Sequence, residues 1–167
     1  LADAIRGLFA PNALVTGRIW FDGELQDATS LADLRGRGIS LVPQSTNYLD
    51  PLMKVGRQVR GFGKYKSTRT KAQQAWFAHY GLESSVEDSY PFQISGGMAR
   101  RVLLSSALVD QSRLLIADEP TPGLDLDLAV KALADFRAFA DEGKGVLLIT
   151  HDIELALCVA DRVAVFR

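Results

Sequence analysis

Three predicted strands are each followed directly by a polar or charged side chain that could take part in chemistry. These side chains are an amide, two neighbouring carboxylates and an imidazole: Gln44, Asp118, Glu119 and His151. In parallel α/β sheets, ligands bind beyond the carboxyl ends of the strands, where such side chains converge. The spacing therefore predicts one candidate site at a single edge of a sheet.

The chemistry open to this set is metal-assisted hydrolysis of a phosphate bond. A carboxylate at a rigid strand end, such as Asp118, could hold magnesium, and its neighbour Glu119 could orient or deprotonate water. Each residue also has an ordinary structural interpretation. The two acids could be solvated at the start of a loop, and His151 could cap a helix, so the residues taken singly leave these alternatives open.

A second candidate site is Ser95-Gly96-Gly97, at the head of a helix with an apolar stripe. Its serine hydroxyl and bare backbone N–H groups coincide with the positive end of the helix dipole, which binds anions. The alternative is an ordinary serine N-cap followed by permissive glycines.

The elements that must position these residues alternate between helix and strand from residue 95 onward. The predicted elements are helices over 95–109, 127–140 and 152–160, and strands over 114–117, 146–149 and 163–166. Such alternation predicts βαβ units on a parallel sheet, and therefore an α/β protein. Cys158 shares the apolar face of the last helix with Leu155, so we expect its side chain to be packed inside.

The first part of the chain is predicted to add a smaller set of elements. They are a helix over 1–9, a strand over 14–21 closed by the hairpin turn Asp22-Gly23, a short helix opened by a capping box at Ser30 and Asp33, and a strand over 39–42.

The character of the chain changes between residues 51 and 82, where lysines and arginines accumulate and no aspartate or glutamate occurs. Ser67 could cap a helix that ends at Gly81, which predicts a helical subdomain inserted between strands. The basic charges indicate either an ordinary solvated helix face or a docking surface for a membrane partner near anionic lipid. The charges alone do not separate these two interpretations.

Composition and charge exclude several classes of protein. The 167 residues are 47% hydrophobic and 23% charged, and 19 basic residues against 20 acidic ones give a formal net charge of −1. No field of the whole chain therefore attracts nucleic acid or anionic lipid. The single cysteine excludes an internal disulfide, and no stretch is long and apolar enough to cross a membrane.

Taken in chain order, the candidate residues form a series that resembles the ABC transporter ATPase family. The series consists of Gln44, Ser95-Gly96-Gly97-Met98, Asp118-Glu119-Pro120-Thr121, Gly123-Leu124-Asp125 and Thr150-His151-Asp152. Motifs in this order and at these spacings rarely arise by chance. The resemblance covers essentially the whole chain. It implies an α/β fold with a P-loop NTPase-like parallel sheet core and an inserted α-helical subdomain, incomplete at both ends.

The resemblance also implies roles in the hydrolysis of ATP with Mg²⁺. Glu119 corresponds to the catalytic carboxylate, and Asp118 to the aspartate that holds magnesium through water. Gln44 corresponds to the glutamine that touches both the metal and the attacking water, and His151 to the histidine near the γ-phosphate.

The remaining motifs resemble those that bind nucleotide across a pair of subunits. Ser95, Gly96 and Gly97 match the signature loop, which in the family clamps the nucleotide bound by the opposite subunit. Asp125 matches the aspartate of the D-loop. The resemblance therefore implies a head-to-tail dimer of two ATP-binding subunits, identical or different.

Further residues resemble a subfamily that imports oligopeptides, dipeptides and nickel. The matching residues are Asp50-Pro51, Val55-Gly56, Gln58, Tyr90-Pro91-Phe92 and Met98. Ala99-Arg100-Arg101 stands where that subfamily usually has Arg-Gln-Arg, and Pro122-Gly123 replaces the commoner Thr-Ala. These departures bear on the choice of substrate and not on the family.

One motif of the family does not occur in this sequence. The phosphate-binding P-loop reads Gly-x-x-x-x-Gly-Lys followed by Ser or Thr, whereas Gly63-Lys64 precedes Tyr65 and Gly143-Lys144 precedes Gly145. In the family, the P-loop directly precedes the helix that residues 1–9 resemble. We therefore expect that the chain is cut just after this loop and that these residues alone bind ATP weakly or not at all.

The predicted organisation is a partial ATPase core over 1–44, a helical subdomain over 45–94, and the signature helix with the rest of the core over 95–167. The expected function of the intact protein is ATP hydrolysis that drives import of peptides or nickel, at the cytoplasmic face of the membrane. Its expected partners are a second ATP-binding subunit, transmembrane permease subunits and an extracytoplasmic solute-binding protein, and not nucleic acid. The alternatives are a soluble ABC ATPase acting on DNA or ribosomes, and a non-catalytic regulatory fragment.

Overall fold

A computed structural model of the chain describes residues 1–9, 12–61, 66–110 and 112–166. The helices are α1 (Ala2–Ile5), α2 (Ala28–Leu34), α3 (Val55–Arg60), α4 (Lys66–His79), α5 (Gly96–Val109), α6 (Leu126–Asp141) and α7 (Ile153–Val159). The strands are β1 (Ile19–Phe21), β2 (Glu24–Gln26), β3 (Ile39–Val42), β4 (Leu114–Asp118) and β5 (Gly145–Ile149).

A parallel sheet in the order β3-β4-β5 forms the centre of the fold. Its middle strand β4 is a continuous apolar segment up to Ala117, because helices cover both of its faces. Leu115 and Ala117 of β4 pack with residues of α5 and α6. Ile116, which points to the opposite face, packs with residues of α1 and α2. This alternation confirms the predicted parallel α/β core.

A short antiparallel hairpin of β1 and β2 lies beside this core, with Phe21 paired to Glu24. Its turn residues Asp22 and Gly23 have φ angles of 59° and 83°, the left-handed pair that a two-residue hairpin turn requires. The predicted hairpin is therefore confirmed, but its first strand spans 19–21 and not 14–21. The partner strand β2 ends at Gln26, which leaves the earlier residues without a strand to pair with.

The short helix after the hairpin begins earlier than the capping box predicted at Ser30 and Asp33. Asp27 is the N-cap of α2, and its carboxylate accepts a hydrogen bond from the Ser30 backbone N–H at 2.8 Å. The Ser30 hydroxyl accepts in return from the Asp27 N–H, also at 2.8 Å. The prediction was wrong because Ser30 completes a capping box that Asp27 opens.

The first helix is also shorter than predicted, since α1 ends at Ile5 and not at residue 9. Gly7 follows it with a φ of +68°, and a Cβ atom at this position would lie 2.9 Å from the Cβ of Leu31. The chain thus leaves the helix at a glycine that passes close to α2.

The helical segment between β3 and α5 has a hydrophobic cluster of its own. Its buried residues from α3, α4 and the loops around them are Leu49, Val55, Val59, Phe77, Leu82 and Val86. They pack against one side of α5, which contributes Ala99, Val102, Leu103 and Val109. The predicted helix corresponds to α4. Ser67 lies inside α4 and not before it, so its predicted capping role is wrong.

Three of the basic residues between positions 51 and 82 form ion pairs with acids outside that range. Ion pairs join Lys54 to Asp88 at 2.9 Å, Arg60 to Glu87 at 2.6 Å and Arg69 to Asp110 at 2.5 Å. Lys64 lies outside the described residues. These pairs favour the ordinary interpretation of the basic charges over a lipid-docking surface.

The alternating elements after residue 95 are confirmed as far as β5 and α7, within one residue at each end. The strand predicted over 163–166 is wrong, because these residues are exposed and pair with no strand of the described chain. Cys158 is exposed and not packed. Both errors concern side chains at or after α7 that no other element of the described chain covers, whereas Leu155 and Val159 of α7 pack against the core.

Candidate functional site

The parallel register brings the candidate residues to one edge of the sheet, which we call the carboxyl edge. Val42 pairs with Ala117, and Asp118 pairs with Ile149, so β3, β4 and β5 end nearly level. Gln44 follows β3 by two residues. Glu119 directly follows β4, and His151 follows β5 by two residues, as the parallel pairing requires.

Glu119 and His151 are in direct contact at this edge. The Oε1 atom of Glu119 accepts a hydrogen bond from the backbone N–H of His151 at 3.1 Å, and it lies 2.9 Å from the ring Nδ1. The Glu119 side chain is 15% exposed, whereas the His151 ring is 83% exposed. A mostly buried carboxylate thus holds an imidazole that projects from the edge and remains accessible.

The backbone of Glu119 adopts a strained conformation directly after β4. Its φ angle is 45°, a left-handed conformation that costs roughly 1–2 kcal/mol in residues other than glycine. Its N–H donates to the carbonyl of Ile149 at 2.9 Å, which extends the ladder of β4 and β5 past the strand end. Such strain clusters at functional sites.

The second carboxylate oxygen of Glu119 is unsatisfied. Oε2 is buried and has no hydrogen-bond partner among the described residues. Buried polar atoms in native proteins almost always have a partner, so an exception at a strand end is evidence for a ligand or water that completes it.

The charge of the site is concentrated on the pair of Glu119 and His151. The pKa of His151 is raised above its ordinary value, first by the hydrogen bond to Glu119 and then by the charge of that carboxylate, with a smaller contribution from Asp152. The site therefore favours the protonated imidazole, which is a donor at both ring nitrogens.

Gln44 and Asp118 lie at the same edge, but no described hydrogen bond joins either side chain to the pair. The Gln44 side chain is exposed, and Asp118 is half-buried at the end of β4. The backbone carbonyl of Gln44 accepts a hydrogen bond from Arg100 of α5 at 2.6 Å. The structure thus brings the four predicted residues to one edge and places two of them in contact.

The residues predicted to act across subunits lie at the starts of two helices. Ser95 is the N-cap of α5, and its Oγ accepts from the Met98 N–H at 3.2 Å. Asp125 is the N-cap of α6, and its Oδ1 accepts from the Leu128 N–H at 2.9 Å. Both residues therefore act as N-caps, as the ordinary interpretation of Ser95 expects, and each of these oxygens can accept a further hydrogen bond.

The two helix starts are close neighbours. A Cβ atom at Gly97 would lie 3.2 Å from the carbonyl oxygen of Gly123, so a glycine lets the signature loop approach this turn. Pro122 and Gly123, with a φ of 83° at the glycine, sit in a turn closed by a hydrogen bond from the Leu124 N–H to the Thr121 carbonyl. These features are those of a type II turn. The Pro-Gly departure therefore shapes the loop that leads to Asp125.

The residues of the carboxyl edge fit a magnesium ion that arrives with a phosphate ligand. In the described part of the chain, no group of three or more His, Cys, Asp or Glu side chains could hold a metal ion. Magnesium is usually bound by one or two carboxylates together with substrate phosphates and water, and not by a cage of protein ligands alone. Asp118 and the amide oxygen of Gln44 could supply such a partial set.

Sequence reasoning missed the role of Arg100 and the left-handed conformation of Glu119. An arginine among the apolar residues of a predicted helix is an available signal for a buried charge. No signal in the sequence indicates the φ angle of Glu119.

Comparison with known proteins agrees with this fold and site. The sequence model of the ABC transporter family matches residues 1–122. The oligopeptide transport ATP-binding protein OppD of Lactococcus lactis subsp. cremoris (strain SK11) is 34% identical over 178 residues, which cover 99% of this chain and 53% of OppD. The metal-staphylopine import system ATP-binding protein CntD of Staphylococcus aureus (strain NCTC 8325 / PS 47) is 34% identical over 179 residues, 98% of this chain and 65% of CntD.

Solved structures include a similar fold. A dimeric structure of the ATP-binding cassette MJ0796, in a post-hydrolysis state bound to ADP and Pi, matches with a TM-score of 0.77 and 27% sequence identity. The match covers 92% of this chain and 69% of that chain.

The chain belongs to the ABC transporter family. The family resemblance and the P-loop NTPase-like α/β fold are thereby confirmed, and the chain spans about half the length of the first curated relatives it matches. In the described part of the chain, no helix has the length and apolar character needed to cross a membrane.

The contact between Glu119 and His151 predicts the titration of the imidazole. We expect the pKa of His151 to lie above about 6.5, the value of an unperturbed histidine, and to fall toward it in Glu119→Gln. The measurement is an NMR titration of the ring protons in this chain, with His79→Gln to remove the other histidine signal. Glu154→Gln, which removes a nearby acid outside this contact, is the control and leaves the pKa unchanged.

The raised pKa of His151 also predicts how the free energy of unfolding depends on pH. Because the folded-state pKa is raised, protonated His151 stabilises the fold fully below about pH 6.5. The contribution is lost as pH rises through the folded-state pKa, and Glu119→Gln abolishes this dependence. An imidazole that titrates at its ordinary value in the unmodified chain would contradict the contact.

Proposed function

We propose that the chain is the core of the ATP-hydrolysing subunit of an ABC importer. The observation that carries the proposal is the contact between Glu119 and His151 at the carboxyl edge, with Oε2 of Glu119 buried and unpartnered. A carboxylate with one oxygen fixed by an imidazole and the other left open is suited to accept a hydrogen bond or proton from an attacking water.

The two residues have separate tasks in the proposed reaction. His151 fixes Oε1 of Glu119, so that Oε2 is left to orient the water and accept its proton. The protonated imidazole, which the raised pKa favours, projects outward and can stabilise negative charge that develops on the terminal phosphate of ATP. Gln44 at the neighbouring strand end donates or accepts a hydrogen bond to position the same water.

Asp118 and Gln44 would hold Mg²⁺ at this edge. When bound, the ion neutralises charge on the phosphates and orients them. Asp118 is rigid because its backbone is paired with Ile149 in the sheet.

We propose that Ser95, Gly96, Gly97 and Asp125 act on nucleotide bound by a second ATP-binding subunit. Each of these residues lies at a helix start, and no described hydrogen bond joins them to Glu119 or His151 of the same chain. A solved relative, the cassette MJ0796, is dimeric. The helix-terminal N–H groups of α5 offer an anion site to such a neighbour.

We further propose that the transported substrate is a peptide or a chelated metal such as nickel. Relatives at similar identity are named for oligopeptide transport and for metal-staphylopine import, which supports both classes equally. An extracytoplasmic solute-binding protein would deliver this substrate.

We propose that the chain divides into a core over 1–44 and 95–167 and a helical subdomain over 45–94. The hydrophobic cluster of the helical segment supports this division.

We also propose that residues 1–167 alone bind ATP weakly. The sequence has no P-loop, and losing its charge-assisted hydrogen bonds, each about 1.5–3 kcal/mol, removes much of the roughly 8 kcal/mol of micromolar binding. ATP hydrolysis is therefore to be measured in the full-length gene product.

The role of Glu119 is tested by replacing it with glutamine. Glu119→Gln in the full-length gene product keeps the shape of the side chain but removes the base, so we expect kcat for ATP hydrolysis to fall on the order of 10²–10⁴-fold while ATP still binds. Glu142→Gln is the matched control, because Glu142 is an exposed acid that pairs with Lys144. Wild-type activity in Glu119→Gln would refute the proposed mechanism.

An apolar groove beside the Gln44 loop is the proposed docking site for a transmembrane permease subunit. The groove has a volume of about 390 Å³. Its lining residues lie between positions 46 and 51 and between positions 91 and 99, and they include Leu49 and Ile94. Leu52 and Phe92 nearby are 87% and 74% exposed. Because the groove begins two residues after Gln44, an occupant would contact the loop that carries this residue. We propose that a permease bound there holds the subunit at the cytoplasmic face of the membrane.

Replacing the exposed apolar residues tests this docking site. We expect the double variant Leu52→Ser, Phe92→Ser of the full-length gene product to lose membrane association by roughly tenfold, since buried apolar anchors dominate interface energies. The measurement is co-sedimentation with membranes that contain the permease subunits. Leu157→Ser, at an exposed leucine on α7, is the control. Unchanged sedimentation of the double variant would exclude the groove as the docking site.

A further inference from the structure

Arg100 places a buried positive charge behind the loop that carries Gln44. The residue lies on α5 and is 6% exposed. Its Nη1 donates to the carbonyl of Pro43 at 2.7 Å, and its Nη2 donates to the carbonyl of Gln44 at 2.6 Å. One rigid guanidinium thus fixes both of the successive peptide groups that lead from the end of β3 into the site.

The charge of Arg100 has no counter-ion in the described part of the chain. The ion pairs there involve other cations, and Nε of Arg100 is buried without a hydrogen-bond partner. Burial lowers the pKa of this guanidinium. A buried charge without a partner of opposite sign is costly to fold, so Arg100 is poorly explained by a contribution to stability alone.

The neighbouring Arg101 on the same helix makes a different set of contacts. Its Nη1 donates to the carbonyls of Tyr80 and Gly81 at 3.1 and 3.2 Å, and its Nε to Gly97 one turn earlier in α5. These bonds tie α5 to the end of α4. None of them reaches the Gln44 loop.

We propose that Arg100 is a positioning residue that holds the Gln44 side chain at the carboxyl edge by clamping the carbonyls of Pro43 and Gln44. The inference rests on the proposed function, because the position of Gln44 matters only if Gln44 acts in hydrolysis. Arg100 lies on the helix that begins with the Ser95 loop, so the clamp also links Gln44 to the surface proposed to face the second subunit.

The test compares three variants of the full-length gene product in steady-state ATP hydrolysis. Arg100→Met removes both donors, and we expect kcat to fall roughly ten- to a hundredfold with KM for Mg-ATP within about twofold, because misplacement by about 1 Å can have effects of this size. Arg100→Lys keeps the charge and one donor nitrogen, and it restores part of kcat. Arg69→Met, the control, removes the ion pair of Arg69 with Asp110 at the end of α5 that lies away from Ser95; it lowers the melting temperature but leaves kcat of the folded protein unchanged.

A second measurement follows the loop itself. Amide hydrogen exchange of residues 44–49 is expected to accelerate in Arg100→Met and not in Arg69→Met, while β4 keeps its protection in both. Unchanged kcat in Arg100→Met, or losses in both variants that merely follow their melting temperatures, would overturn the clamp. Absence of hydrolysis in the unmodified protein would instead overturn the proposed function, and the clamp with it.

Discussion

The parallel pairing of β3, β4 and β5 is the constraint on which the site depends. Parallel strands that end level deliver whatever follows them to the same edge, and the pairing of Asp118 with Ile149 is what brings Glu119 against His151. The strained backbone of Glu119 is tolerated because its N–H continues the ladder to β5. A slip of one residue in this register would separate the carboxylate from the imidazole.

The parts of the fold that sequence reasoning predicted are those with strong local signals. The core strands β4 and β5 contain the continuous apolar runs 114–117 and 146–149, which stand out from their surroundings. Ser95 is a typical N-cap before a long apolar-striped helix, and the turn Asp22-Gly23 has the residues that a tight hairpin requires. The order of the candidate residues along the chain then placed them after successive strands.

The errors and omissions arise where the outcome depends on a distant partner or on competing local signals. Residues 163–166 are apolar enough for a strand, but a strand forms only beside another strand. Asp27 and Ser30 are both good capping residues three positions apart, and their reciprocal bonds decide which one starts α2. The target of Arg100 lies far earlier in the chain, so its buried bonds to the Gln44 loop follow only from the folded structure.

The central claim is that Gln44, Asp118, Glu119 and His151 enclose the terminal phosphate of ATP and its metal ion. The most direct measurement is a crystal structure of the full-length gene product with Mg²⁺ and a non-hydrolysable ATP analogue. The account predicts that the terminal phosphate lies at the carboxyl edge, with His151 within hydrogen-bonding distance and a water between the phosphate and Glu119. A nucleotide bound elsewhere, with these four side chains untouched, would contradict it.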